Sequence, residues 1–214
     1  MKKAVIFDLD GTLINSLPDI AAAMNRSLAR FGLPVHAEAE YKYMVGNGVF
    51  KLTERSVGPH TAYFDGVLDA YREDYGRNSR VDTAAYRGVA DMLTALDQKG
   101  LRLCVLSNKD QADTENVLAC YFPGIAFAVI RGRRDGVPLK PDPAGALLIA
   151  QELGLSPEDF WYVGDTATDM RCGNASHMET VGVLWGYRPR EELMASGARE
   201  LAADPDELTA LLLR

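Results

Sequence analysis

Ala4-Val5-Ile6-Phe7-Asp8-Leu9-Asp10-Gly11-Thr12-Leu13 decides how the rest of the chain is read. Residues 4–7 form a short, continuously apolar run, which suits a strand buried on both faces of a parallel sheet. Two carboxylates, Asp8 and Asp10, follow at once. Residues two apart share a face of an extended segment. One carboxylate could attack an electrophile while the other moves protons. Asp10-Gly11 also fits a tight hairpin turn between two short strands. The two readings are compatible, because a hairpin can present both carboxylates at a sheet edge.

Similar apolar runs recur at residues 101–106, 160–163 and 180–184, with a weaker one at 125–130. Helical stripes fall between them. Val89, Met92, Leu93 and Leu96 repeat at helical spacing and Gly100 follows as a stop. Ala146, Ile149, Ala150 and Leu153 repeat likewise before Gly154. Asp204-Pro205 starts a last helix running to Leu213. Strand and helix alternate from about residue 81 onward, which predicts βαβ units and a doubly wound, parallel, Rossmann-like α/β sheet. Residues 15–80 break the rhythm. Ser16 with Asp19 resembles a helix start. Ile20, Met24, Leu28 and Phe31 form one helical stripe, and Tyr63, Val67, Leu68 and Tyr71 a second. The predicted division is a core domain of residues 1–14 and 81–214, with a helical cap domain, residues 15–80, inserted after the first strand.

A chain of 214 residues has room for one core with a modest insertion. Its 23 basic and 30 acidic residues give a net charge of -7. That field attracts no polyanion, so nucleic acid is not the expected partner, and a small anionic substrate needs a local basic site. Cys104, Cys120 and Cys172 stand far apart and suggest neither a disulfide framework nor a zinc site. His36, His60 and His177 lack metal-ligand spacing. Asp8 interrupts the first apolar run too early for a signal peptide, and no stretch is long and apolar enough to span a bilayer. The expected location is the cytoplasm, away from membranes.

The other chemical signals cluster near predicted strand ends, where open α/β sheets bind ligands. Ser107-Asn108-Lys109 follows one strand, Gly164-Asp165 another, with Asp169 four residues on. Lys140-Pro141-Asp142-Pro143 precedes the helix of Ala146. Asp165 and Asp169 are ordinary N-cap residue types by themselves. If they meet Asp8 at one edge, a cation is needed between the converging charges. Hard oxygen ligands without His or Cys favour Mg²⁺. Ser107, Asn108 and Lys140 supply donors and positive charge for a phosphate. A lone lysine is ordinarily a solvated charge, but Lys140 is one of four signals in a consistent order.

Those four signals resemble the motifs of the haloacid dehalogenase superfamily of phosphohydrolases, over essentially the whole chain. Asp8 to Leu13 resembles the first motif, Leu106-Ser107-Asn108-Lys109 the second and Lys140 the third. Gly164-Asp165-Thr166-Ala167-Thr168-Asp169-Met170 resembles the fourth. Within the superfamily, Val45-Gly46-Asn47-Gly48-Val49 and the stretch 182–188, followed by Glu191-Glu192-Leu193, are most similar to the phosphoglycolate phosphatase group. Tyr86-Arg87-Gly88 departs from many relatives, which carry a proline before the glycine.

The resemblance implies catalysis through an aspartyl phosphate on Asp8, with Asp10 as general acid and base. It implies Mg²⁺ held by Asp8, Asp165, Asp169 (directly or through water) and the Asp10 backbone carbonyl. Ser107 and Lys140 would bind phosphoryl oxygens, and Asn108 would orient the phosphate or the nucleophile. The expected substrate is a small phosphorylated metabolite, 2-phosphoglycolate first. Alternatives on the same core are a phosphatase or phosphomutase for a sugar phosphate, nucleotide or pyrophosphate. A non-catalytic phosphometabolite-binding module is a further alternative, against which the set Asp8, Asp10, Lys140 and Asp165 argues. The cap loop Gly46-Asn47-Gly48 is expected to reach the site, with Lys42, Asn47 and Lys51 choosing the substrate. The same loop also reads as a tight helix–helix turn with two solvated lysines.

Overall fold

The computed structural model describes residues 2–214. Eight strands and ten α-helices occur among them: β1 (Ala4–Phe7), β2 (Ile14–Asn15), α1 (Leu17–Arg30), α2 (Glu38–Met44), α3 (Val49–Val57), α4 (Phe64–Asn78), β3 (Ala84–Ala85), α5 (Val89–Gln98), β4 (Arg102–Asp110), α6 (Gln111–Tyr121), β5 (Val129–Arg133), α7 (Ala144–Leu153), β6 (Phe160–Gly164), α8 (Ala167–Ala175), β7 (Glu179–Val183), α9 (Arg190–Ala195), β8 (Glu200–Ala202) and α10 (Pro205–Leu212).

Six strands form one sheet in the order β5-β4-β1-β6-β7-β8, every pairing parallel. β1 is central, and all four of its side chains are buried. Successive side chains point to opposite faces. Val5 and Phe7 accordingly join Leu93, Leu96, Val117 and Leu208 on one side of the sheet. Ala4 and Ile6 join Ala146, Ile149, Phe160 and Tyr162 on the other. This is why the run carries no polar alternation. Each fully buried aliphatic side chain contributes about 1.5–3 kcal/mol. The architecture is the doubly wound α/β sheet expected from the sequence.

The chain fills one half of the sheet with β4 and β5, then crosses to β6, β7 and β8. The direction of winding reverses beside β1, so the loops after β1, β4 and β6 open into one crevice. The helix starts follow local chemistry. Gly88, at φ 88°, precedes α5. The Asp204 carboxylate accepts the Glu207 N–H at 2.9 Å at the start of α10.

Helices α1 to α4 lie between β2 and β3 in the chain and bury a core of their own, with Met24, Leu28, Tyr41, Leu52, Val67 and Tyr71 in it. Arg26 bridges to Asp74, tying α1 to α4. The strands at the root of this segment are too short for a sequence pattern. β2 does not fold back on β1 as a simple Asp10-Gly11 hairpin would. It pairs antiparallel with β3, Ile14 opposite Ala85 and Asn15 opposite Ala84. The expected helix start at Ser16 also differs in detail. Ser16 stands at the N-cap of α1 without capping it, because its hydroxyl turns to Asp10. Asp19 instead accepts the N–H groups of Val81, Asp82 and Thr83 at 2.9–3.2 Å. Among the described residues, no helix is long and apolar enough to cross a membrane.

Candidate active site

Asp8 is the first residue after β1, and its N–H donates to the Val163 carbonyl of β6 at 2.9 Å. One of its carboxylate oxygens accepts the Leu9 N–H at 2.7 Å and the Lys140 ammonium at 2.7 Å. Lys140 also donates to Asp169 at 2.7 Å. The Lys140 side chain is 2% exposed and that of Asp169 is fully buried, so this is an interior ion triad, not a solvated lysine. Asp169 serves the local structure too. It accepts the N–H and hydroxyl of Thr166 at 3.1 and 2.6 Å in a capping box that starts α8. Asp165 accepts Thr12 Oγ1 at 3.2 Å and the Tyr187 N–H at 2.8 Å.

Asp8, Asp165 and Asp169 each offer an oxygen within 4.8 Å of the others, and all three are buried. One lysine does not balance three carboxylates. Burial, followed by the charge of Asp169, raises Asp8 from an ordinary 3.8 to about 7, against the pull of Lys140. Burial and the charges of Asp8 and Asp169 push Asp165 up as well. Burial would lower the pKa of Lys140, but Asp169 and Asp8 outweigh it and raise it. The cluster is short of positive charge and built of hard oxygen donors, a fit for a divalent cation. Gly11 is part of the same construction. At φ +92°, a Cβ there would lie 2.3 Å from the Asp165 carboxylate, so only glycine allows the loop after β1 to lie against that residue.

Asp10 is not one of the converging carboxylates. Its side chain accepts the Lys109 ammonium at 2.8 and 3.1 Å and the Ser16 hydroxyl at 2.5 Å. It lines a cavity of about 280 Å³ together with Asp8 and Ser107. The roof of this cavity comes from Val45, Gly46, Gly48 and Val49, and from Tyr71, Arg72 and Tyr75 of α4. Thus the glycine loop does reach the crevice. Asn108 also lines the cavity, yet its amide is engaged elsewhere. Nδ2 donates to the Gly46 and Lys140 carbonyls at 2.9 and 3.1 Å, and Oδ1 accepts the Lys140 N–H at 2.9 Å. These bonds tie together the sheet edge, the glycine loop and the Lys140 backbone.

A match to the family profile described as haloacid dehalogenase-like hydrolase spans residues 5–183. The chain belongs to the haloacid dehalogenase-like hydrolases. Its curated relatives include a phosphoglycolate phosphatase of Pseudomonas putida, 31% identical and covering 99% of this chain and 79% of the relative. Another, from Haemophilus influenzae, is 32% identical over 86% of this chain and 87% of the relative. A crystal structure of a predicted phosphoglycolate phosphatase from Haemophilus somnus superposes with a TM-score of 0.92. The two chains are 27% identical, with 99% of this one and 98% of that one covered. This haloacid dehalogenase-like hydrolase is therefore a phosphoric monoester hydrolase of the phosphoglycolate phosphatase-like kind.

The roof of the hydrolase differs from the sequence reading in which cation faces the cavity. Lys42 and Lys51 do not line it. Lys51 pairs with Glu54 at 2.5 Å on the exposed side of α3, and the Lys42 carbonyl accepts Arg188 of the loop before α9. Asn47 points to Thr168, at 3.2 Å, and accepts Arg55 at 2.9 Å. Arg72 is the cation that α4 brings to the cavity. It stacks over Phe50, 5.2 Å from the ring centroid, and makes no ion pair among the described residues. No local pattern in the sequence singles out Arg72, because only the packing of α4 brings it to the cavity.

Proposed function

We propose that this enzyme hydrolyses a small phosphate monoester through an aspartyl phosphate on Asp8, and that its substrate is 2-phosphoglycolate. The observation that carries the chemistry is the buried Lys140 bridging Asp8 and Asp169 at 2.7 Å each, with Asp165 beside them. Asp8 attacks phosphorus and forms an acyl phosphate. The leaving alkoxide takes a proton from Asp10. A water then attacks the acyl phosphate, giving its proton back to Asp10 and releasing phosphate with Asp8 restored. Lys140 neutralises the nucleophile and the transferring phosphoryl group, with Ser107 as a donor to phosphoryl oxygen. Asp8, Asp165, Asp169 and the Asp10 carbonyl would hold Mg²⁺, which supplies the positive charge the cluster lacks.

Substrate choice rests on two supports. One is the near full-length likeness to phosphoglycolate phosphatases. The other is Arg72, a free guanidinium suited to a carboxylate. Residues 15–80 act in this reading as the cap domain of a cytoplasmic enzyme, with 1–14 and 81–214 as the catalytic core. The test is phosphate release from 2-phosphoglycolate, hexose phosphates, nucleotides and pyrophosphate, with Mg²⁺ and with chelator. Magnesium-dependent release that is greatest for 2-phosphoglycolate and abolished in Asp8→Asn supports the reading. An Asp8→Asn enzyme with near-normal turnover removes Asp8 as nucleophile, and preference for another ester removes the substrate.

A further inference from the structure

Lys109 is a buried cation at the cavity to which the chemistry above gives no part. Its side chain is 7% exposed. An ammonium has three donors, and all three have acceptors here: both oxygens of Asp10 at 2.8 and 3.1 Å, and the Tyr75 hydroxyl at 2.8 Å. The same ammonium lies 4.8 Å from the Tyr75 ring centroid. Burial would lower its pKa, but Asp10 and then Tyr71 outweigh burial and raise it, so it stays protonated. Tyr75 is itself fixed. Its ring stacks on Tyr71 with centroids 5.3 Å apart and planes 12° apart.

These contacts join separate parts of the chain at Asp10 and Lys109. Lys109 belongs to β4, Ser16 stands before α1, and Tyr75 belongs to α4. Stability alone is a poor explanation for such a pair, because a buried ion pair often contributes no more than apolar side chains of the same volume. A proton-transferring carboxylate, by contrast, needs a fixed orientation towards the leaving oxygen. We infer that Lys109 is a positioning residue for Asp10, and that Tyr75 completes the setting of Lys109 from α4. Lys109 transfers no proton itself. The proton leaves Asp10 for the departing oxygen and is regained from water. This inference rests on the phosphatase reading.

Leaving-group dependence tests it. An alkyl ester such as 2-phosphoglycolate needs a proton on its departing oxygen, whereas p-nitrophenyl phosphate releases a stable phenolate unaided. kcat/KM covers the steps up to that departure. In Lys109→Met, kcat/KM for the alkyl ester should fall roughly 100-fold, and for p-nitrophenyl phosphate about tenfold less than that. Tyr75→Phe keeps the ring and should show the same bias at smaller size. Adding Lys109→Met to Asp10→Asn should cost little further rate, since both act at one point. Equal losses on the two esters, a change in KM alone, or full additivity in the double variant would overturn the role. If Lys109→Met does not fold, the ester bias of Tyr75→Phe decides. A wild-type enzyme that cleaves neither ester removes the phosphatase reading and this role together. Asp8-dependent cleavage with no ester bias in the variants removes only the role of Lys109.

Discussion

Asn108 at the sheet edge donates its side-chain amide to the Gly46 carbonyl at 2.9 Å and so pins the glycine loop over the crevice. The same amide exchanges two hydrogen bonds with the Lys140 backbone. Asn108→Ala should cost about 1–3 kcal/mol through these unpaired polar groups. It should also speed hydrogen exchange at residues 45–48 more than in the sheet. Denaturant melts and exchange mass spectrometry measure both. Unchanged exchange in the loop would mean that Gly46 is held by something else.

The carboxylate cluster sets a pH signature. Burial and the neighbouring Asp169 raise Asp8 from 3.8 to about 7 in the cation-free protein. A carboxyl with a higher pKa folded than unfolded holds its proton more tightly in the fold. Its contribution to stability is therefore lost as pH rises from about 4 to about 7. A divalent cation displaces such protons. The rise in Tm on adding Mg²⁺ should accordingly be small near pH 5 and grow towards neutral pH. A thermal shift that is flat across this range in a chelator-versus-magnesium comparison would count against a cation among Asp8, Asp165 and Asp169.

Arg72 should govern carboxylate recognition. Hydrogen bonds to charged groups are worth about 1.5–3 kcal/mol, so Arg72→Ala should raise KM for 2-phosphoglycolate about tenfold or more. KM for ethyl phosphate, which lacks the carboxylate, should stay within about twofold. Lys42→Ala and Lys51→Ala should change neither value, because neither residue lines the cavity. Equal effects of Arg72→Ala on both esters would assign Arg72 to general cavity shape instead.

Much of this site was legible in the chain because it is local in sequence. The unbroken apolar run of β1 announces a strand with two buried faces, and Asp8 stands directly after it. Asp165 follows β6 in the same way. The parts that were not legible depend on tertiary encounter. Lys109 was visible beside Ser107 and Asn108, but nothing local ties it to Tyr75, 34 positions away. Lys42 and Lys51 drew attention by their closeness to the glycines, whereas the packing of α4 decides which cation faces inward. β2 and β3 have two residues each, too few for any period to show. In β8 only Ala202 is buried, which leaves no apolar run to read.

The clasp at the root of the helices has a consequence for how such enzymes diversify. Asp19 gathers three consecutive N–H groups at 81–83, and Ile14 sits opposite Ala85. The excursion from the sheet thus departs and returns at one doorway. Closing a longer excursion there adds only a logarithmic entropy cost, and no strand order in the sheet depends on what is enclosed. Length can therefore be added within the excursion at little entropic cost, provided that Ser16 and Tyr75, which touch Asp10 and Lys109, keep their places.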